Sequence, residues 1–271
     1  MAFKDILVHV DNSAAGRVRL DLAARLAQAH DAHLVGLHVR SRTVVPPFVA
    51  AQMGPEIEAL QDRFLADAAA EARAAFDAVA PAAGVTSEWR DVAGVLADTV
   101  ALHARYADIA VIGQSEEGDD DGPLADGLVL EVGRPVLVVP YAGRFDSVGK
   151  RVLVAWNASR EATRAVHDAL PLLAQAQRVQ VVAINPDGDH GDIPGADIAL
   201  HLSRHGIAAS CEQLTADDVA VGALLLSRAA DTGADLIVMG GYGRSRLREL
   251  VLGGTTRHIL RHMTVPVLLS H

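Results

Sequence analysis

The sequence predicts an α/β protein built as two tandem doubly wound parallel five-stranded sheets, packed against each other as an intramolecular pseudo-dimer. Three observations carry this. First, the chain repeats itself. The phrase ILVHVDNS (6–13) answers to VLVAWNAS (152–159), ADIAVIG (107–113) to ADLIVMG (234–240), and RPVLVVP (134–140) to VPVLLSH (265–271). Second, each repeat alternates short strand-like runs with helical stretches, the pattern of βαβ units and a parallel sheet. Third, the strand runs are continuously apolar, as a sheet covered on both faces requires. Right-handed crossovers then wind the sheet in both directions.

The elements follow in order. In the first repeat Ile6–Val10 is a β-rich run that ends at Asp11-Asn12-Ser13, and residues 14–30 have helical periodicity. A strand at 33–39 leads to an Ala-rich helix over 55–80, closed by Pro81 and Gly84. A strand at 85–90, a helix at 94–105 and a strand at 109–113 follow. A polar loop, a short helix near 123–132 and a strand at 135–139 complete the repeat. The second repeat keeps the order: strand 151–156, helix 160–176, strand 179–184, helix 196–205, strand 207–214, helix 218–232, strand 236–240, helix 253–262, strand 266–269. The linker near Ala142–Gly149 is short, so the expected domains are 1–143 and 150–271, lying side by side. The two terminal strands, 136–139 and 266–269, are placed to pair across the halves as in a dimer.

Composition excludes several classes. No window is long and apolar enough to span a bilayer, and the opening MAFKDILVHV runs straight into a strand with no signal-peptide layout. One cysteine, Cys211, cannot build a disulfide framework. A cytoplasmic location is therefore expected. Residues 1–147 hold 12 Lys+Arg against 22 Asp+Glu, and residues 148–271 hold 12 against 12, so the net charge of −10 belongs to the first half. That is no footprint for nucleic acid.

One stretch points to chemistry. Val238-Met239-Gly240-Gly241-Tyr242-Gly243 is a strand running into a glycine turn, and Gly253-Gly254-Thr255-Thr256 opens a helix. Glycine lets backbone N–H groups approach an anion, a helix N-terminus adds free donors and a favourable dipole, and threonine adds hydroxyls. Arg244 stands between the two turns. In doubly wound sheets ligands bind at the carboxyl ends of the strands, near the switch in strand order.

With these residues in view, the chain resembles a tandem, two-domain universal stress protein. Gly240, Gly243 and Gly253 keep the family's G-x2-G-x9-G spacing; the Ser/Thr position that should follow is Gly254, with Thr255 one residue later. The resemblance implies the adenine nucleotide α-hydrolase-like fold and an ATP-type regulatory ligand, with or without Mg²⁺. It implies phosphates on Gly240, Gly243, Gly253, Gly254, Thr255 and Thr256, with Arg244 screening charge. It also implies adenosine at Ala155, Trp156 and Asn157 and at Ile184 and Asn185. Many family members carry aspartate where Asn157 stands.

The first half departs further: it keeps Asp11 and Gly113, but Glu116 stands at the second motif glycine and Asp119-Asp120-Asp121 follow. It is expected to bind no ATP and to act as a structural or regulatory partner. Residues 44–60 form a candidate partner or lid surface. No catalytic set is legible: the P-loop lysine is absent, Lys4 and Lys150 being the only lysines, and no base or Mg²⁺-holding carboxylate is evident beside the glycine motif. His258 and His262 share a helix face, but a zinc site needs more ligands, and no metal is expected. The reading is a stress-response protein binding an adenine nucleotide in its second half. The alternatives are a nucleotide-free interaction protein and, less favoured, a slow ATPase. A homodimer and an unidentified protein partner stay open.

Overall fold

A computed structural model of the protein describes residues 2–42, 55–115, 124–184, 195–215, 221–243 and 254–271. The first repeat runs β1 (Asp5–His9), α1 (Ala14–His30), β2 (His33–Arg40), α2 (Pro55–Ala82), β3 (Ser87–Ala93), α3 (Leu96–Ala104), β4 (Ile109–Gly113), α4 (Leu124–Glu131) and β5 (Val136–Val139). The second runs β6 (Arg151–Trp156), α5 (Arg160–Leu173), β7 (Arg178–Ile184), α6 (Ala196–Arg204), β8 (Ala209–Leu214), α7 (Val221–Thr232), β9 (Leu236–Gly240), α8 (Thr255–His262) and β10 (Val267–Ser270).

The strand order is β3-β2-β1-β4-β5-β10-β9-β6-β7-β8, one ten-stranded sheet. Each half is a parallel five-stranded sheet, and the halves are hydrogen-bonded through their last strands. β5 and β10 pair antiparallel, with Val138 opposite Val267, Leu137 opposite Leu268 and Val136 opposite Leu269. These residues are fully buried. Alternating faces of the joint therefore enter two apolar layers, one on each side of the sheet, and both layers run through both halves. The outer strands β3 and β8 carry the polar runs SEWRDVA and ASCEQL and are largely exposed, which suits sheet edges.

Local chemistry sets the helix starts. Ser13 is the N-cap of α1 and its Oγ accepts from the Gly16 amide at 2.8 Å. Ser159 caps α5 in the same way, accepting from the Ala162 amide at 3.1 Å. Pro81 does not close α2, which continues to Ala82. The turn comes at Gly84, whose φ of 68° is left-handed. Pro81 sits in the last turn, where the lost amide disturbs little of the helix.

Gln114 follows β4 and is buried at 7 % exposure. Its Nε2 donates to the carbonyls of Leu260 at 2.8 Å and Arg261 at 3.1 Å, and its Oε1 accepts from the Tyr141 amide. It thus satisfies carbonyls at the end of α8 that a helix leaves unpaired, and it ties the first half to the second. Gln114→Ala should cost about 1–3 kcal/mol by stranding these buried groups. Thermal unfolding followed by circular dichroism checks it; an unchanged midpoint would mean the strut is dispensable.

Candidate functional site

In the second half β6 lies between β7 and β9, and the chain leaves it in both directions. Its carboxyl end is the switch point. Trp156 pairs with Ala183, and Val154 pairs with Val238, so two residues further on Trp156 stands level with Gly240. The register therefore brings Ala155, Trp156, Ile184 and Gly240 to one edge of the sheet. Asn185, Arg244 and Gly253 lie outside the described residues, as does most of the 44–60 segment and the acidic run 116–121.

Ala155 and Trp156 are half-buried, and Trp156 packs against the core layer that includes Val154 and Val181. Asn157 is exposed, and its Oδ1 accepts from the Ser159 amide at 3.1 Å. Ile184 is 8 % exposed. Gly254 is the N-cap of α8 and contributes no side-chain cap, so first-turn amides lack the partner that serine supplies to α5. The Tyr242 amide donates to Thr256 Oγ1 at 3.3 Å, which brings the glycine turn against the start of α8. Thr255 is half-buried; Thr256 is buried at 7 % exposure.

The glycines have different tasks. A Cβ on Gly240 would stand 2.6 Å from the Ala162 nitrogen and 2.6 Å from the Glu161 carbonyl carbon. Gly240 is thus where β9 meets the first turn of α5. A Cβ on Gly241 would stand 2.6 Å from Val129 Cγ1 on α4 of the other half, and the Gly241 amide already donates to Ser270 O at 2.8 Å. Tyr242 reaches across too, its hydroxyl donating to Asp126. Gly243 alone of this run has ordinary space, its Cβ position 3.5 Å from Glu161 Oε2.

Glu161 places beside the glycine motif a carboxylate that was not evident in the sequence. It comes from α5, some eighty residues earlier in the chain, and is 4 % exposed. Arg160 donates to Oε1 at 3.2 Å, while Oε2 is buried without a hydrogen-bond partner. Burial pushes its pKa up, but its own backbone amide, Arg160 and Ser159 outweigh burial and hold it below the usual carboxylate range. A signal was available. Glu161 precedes the buried Ala162 and falls four residues before buried Ala165, on the inner face of the helix.

The first half fills the same place differently. Arg19 is 3 % exposed. Its Nε donates to His9 O at 2.8 Å and its Nη2 to Asp11 Oδ2 at 2.6 Å. Its Nη1 lies against Gly113, where a Cβ would collide with it. Counting along the repeat, Arg19 corresponds to Ala165, and Glu161 to Ala15. A guanidinium therefore occupies the first switch point, and a carboxylate borders the second. His9 and His38 are buried at the strand ends, His38 Nδ1 3.0 Å from Asp91 Oδ1. Among the described residues no three His, Cys, Asp or Glu side chains are grouped to hold a metal, and the His258–His262 rings simply lie 4.6 Å apart. No helix is long and apolar enough to cross a membrane, among the described residues. A cavity of about 200 Å³ lies away from the switch points, between α1, α5 and the linker, lined by Leu22, Leu26, His30, Phe145 and Leu172.

Fold and site together define a tandem doubly wound α/β protein whose second half presents a glycine turn and a helix start at its switch point. The universal stress protein family model matches residues 2–140 and again 149–271, and the chain belongs to that family. Among solved structures it is similar to a universal stress protein from Archaeoglobus fulgidus, with 18 % identity, a TM-score of 0.75, and coverage of 98 % of this chain and 97 % of that one. It is also similar to the functionally unknown protein PA1789 from Pseudomonas aeruginosa, at 15 % identity and a TM-score of 0.59 over 99 % and 92 % of the two chains. At these identities the likeness is one of fold. Among curated proteins, 38 residues are 50 % identical to the universal stress protein Slr1230 of Synechocystis, 14 % of this chain and 13 % of that one. A further 40-residue match, 40 % identical, is to the universal stress protein MJ0577 of Methanocaldococcus jannaschii, 15 % of this chain and 25 % of that one. The aligned segments thus span a quarter or less of these relatives' length.

Proposed function

We propose that the protein is a stress-response regulator whose second half binds an adenine nucleotide, ATP foremost, as a signal. The observation that carries this is the meeting of two anion-binding elements at one switch point: the turn ending at Gly243 and the uncapped start of α8, joined by the Tyr242–Thr256 contact. Gly243, Gly254 and Thr255 are assigned to phosphates, together with Gly253, Arg244 and Thr256. Gly240 belongs to the same turn, with its packing against α5 as a first duty. Ala155, Trp156, Asn157, Ile184 and Asn185 are assigned to adenosine. A bound nucleotide would supply a charged regulatory ligand, held by the residues of the glycine turn after β9 and of the start of α8. The first half is assigned a structural role, because Arg19 fills its switch point.

The test is equilibrium binding of labelled ATP to the wild type and to Gly243→Asp, which sets a second carboxylate beside Glu161. Binding should weaken about tenfold or more. Equal binding by both proteins would remove the site assignment. The alternative, a nucleotide-free interaction protein, is favoured by the unpaired Glu161 oxygen, which repels bare phosphate. Mass spectrometry of the protein as purified separates the two readings: retained adenine nucleotide supports the first.

A further inference from the structure

Glu161 Oε2 is an acceptor with no donor, buried, and 3.5 Å from the Cβ position of Gly243. The side chain is 5 % exposed. An unpaired buried carboxylate oxygen is unfavourable by itself, and a phosphate set beside it adds repulsion. A divalent cation resolves both. Mg²⁺ is commonly held by one or two carboxylates together with the phosphates of a ligand. The other repeat supports the same logic from the opposite side. There the switch point holds its own cation, the Arg19 guanidinium, paired with Asp11 at 2.6 Å. In the second half the arginine position is Ala165 and the carboxylate is Glu161, whose Oε1 takes the exposed Arg160 at 3.2 Å while the buried Oε2 has no partner.

We propose that Glu161 is a ligand for a divalent cation, so that the second half takes a phosphate ligand only in its cation-loaded form and rejects the metal-free form. The proposal rests on the nucleotide reading above. It adds that the protein responds jointly to nucleotide and to free divalent cation.

The experiment is calorimetric titration of ATP into the full chain, in excess Mn²⁺ and in excess EDTA, for the wild type and Glu161→Gln. Wild-type affinity should fall about tenfold or more in EDTA, and Glu161→Gln should bind ATP equally in both conditions. Electron paramagnetic resonance of bound Mn²⁺·ATP supplies a second readout: the Mn²⁺ spectrum should differ between wild type and variant, because only the wild type adds a carboxylate to the coordination; identical bound spectra overturn the proposal. Wild-type binding that ignores EDTA overturns the proposal and leaves the nucleotide reading standing; this arm needs no variant to fold. Cation dependence that survives in Glu161→Gln also overturns it, since the ligand is then elsewhere. No binding of ATP by wild type or variant in either condition overturns the nucleotide reading and the proposal with it.

Discussion

Between about pH 7 and pH 4.5 the protein should lose roughly 3 kcal/mol of stability through His9 alone. His9 ends β1 at 8 % exposure. Burial first, then the Arg19 guanidinium and His38, drive its pKa down from 6.5 to about 3, against a smaller opposing pull from Asp11. The sign follows from proton counting. Unfolded, His9 takes a proton near its ordinary value; folded, it stays neutral until about pH 3. Between those values the unfolded chain binds more protons, so stability is full above about pH 6.5 and falls as the solution is acidified. Asp11 is held below the usual carboxylate range: burial opposes this, and Arg19, His9 and Ser13 outweigh burial. Its contribution is present above its unfolded pKa of about 3.9 and is lost only below that, a lower window than that of His9. Denaturant midpoints at about pH 7 and pH 4.5, for the wild type and His9→Gln, check the assignment. The variant should show the shallower dependence; parallel slopes would mean that His9 is not the group responsible.

Gly240→Ala should destabilise the fold by about 1–3 kcal/mol, and Gly243→Ala by less than about 0.5 kcal/mol. The new methyl at Gly240 would meet main-chain atoms of Glu161 and Ala162 at 2.6 Å. Backbone in a capped helix turn cannot rotate aside as a side chain does, so β9 and α5 would have to part. At Gly243 the nearest atom is the end of a carboxylate side chain at 3.5 Å, an ordinary contact. For a chain of this size the first change should lower the melting temperature by about 2–5 °C and the second by little. Equal midpoints would mean that the turn yields. The pair separates a glycine required by packing from one that packing leaves free, though both stand in the same motif.

That contrast shows how much was legible beforehand. The repeat phrases and the apolar runs placed β1, β4, β6 and β9 within a residue of their observed positions, because parallel strands buried on both faces leave an unmistakable one-dimensional trace. Helix ends were less sharp. Pro81 read as a stop and is an internal residue of the last turn, since a proline near a helix end removes few bonds. At the site, glycine spacing located the turn after β9 but could not tell its members apart. Gly240 answers to α5, Gly241 to α4 of the other half, and only Gly243 stands free. Glu161 was missed because its neighbour in space lies some eighty residues away, and spacing arguments see only the neighbours in sequence.

What the sequence alone determined is the twofold repeat and the order of strands and helices, consequences of local periodicity; the glycine motif added the resemblance to the family. The tertiary structure alone decided what borders each switch point. It set the Arg19 guanidinium over Gly113 in the first half and the Glu161 carboxylate beside Gly243 in the second. The pairing of β5 with β10 was expected from the sequence; the structure fixed its antiparallel register. The physical reason is the same in each case. Charge and steric contact act over a few ångströms in space, and which groups come within that range is settled by packing helices on the sheet.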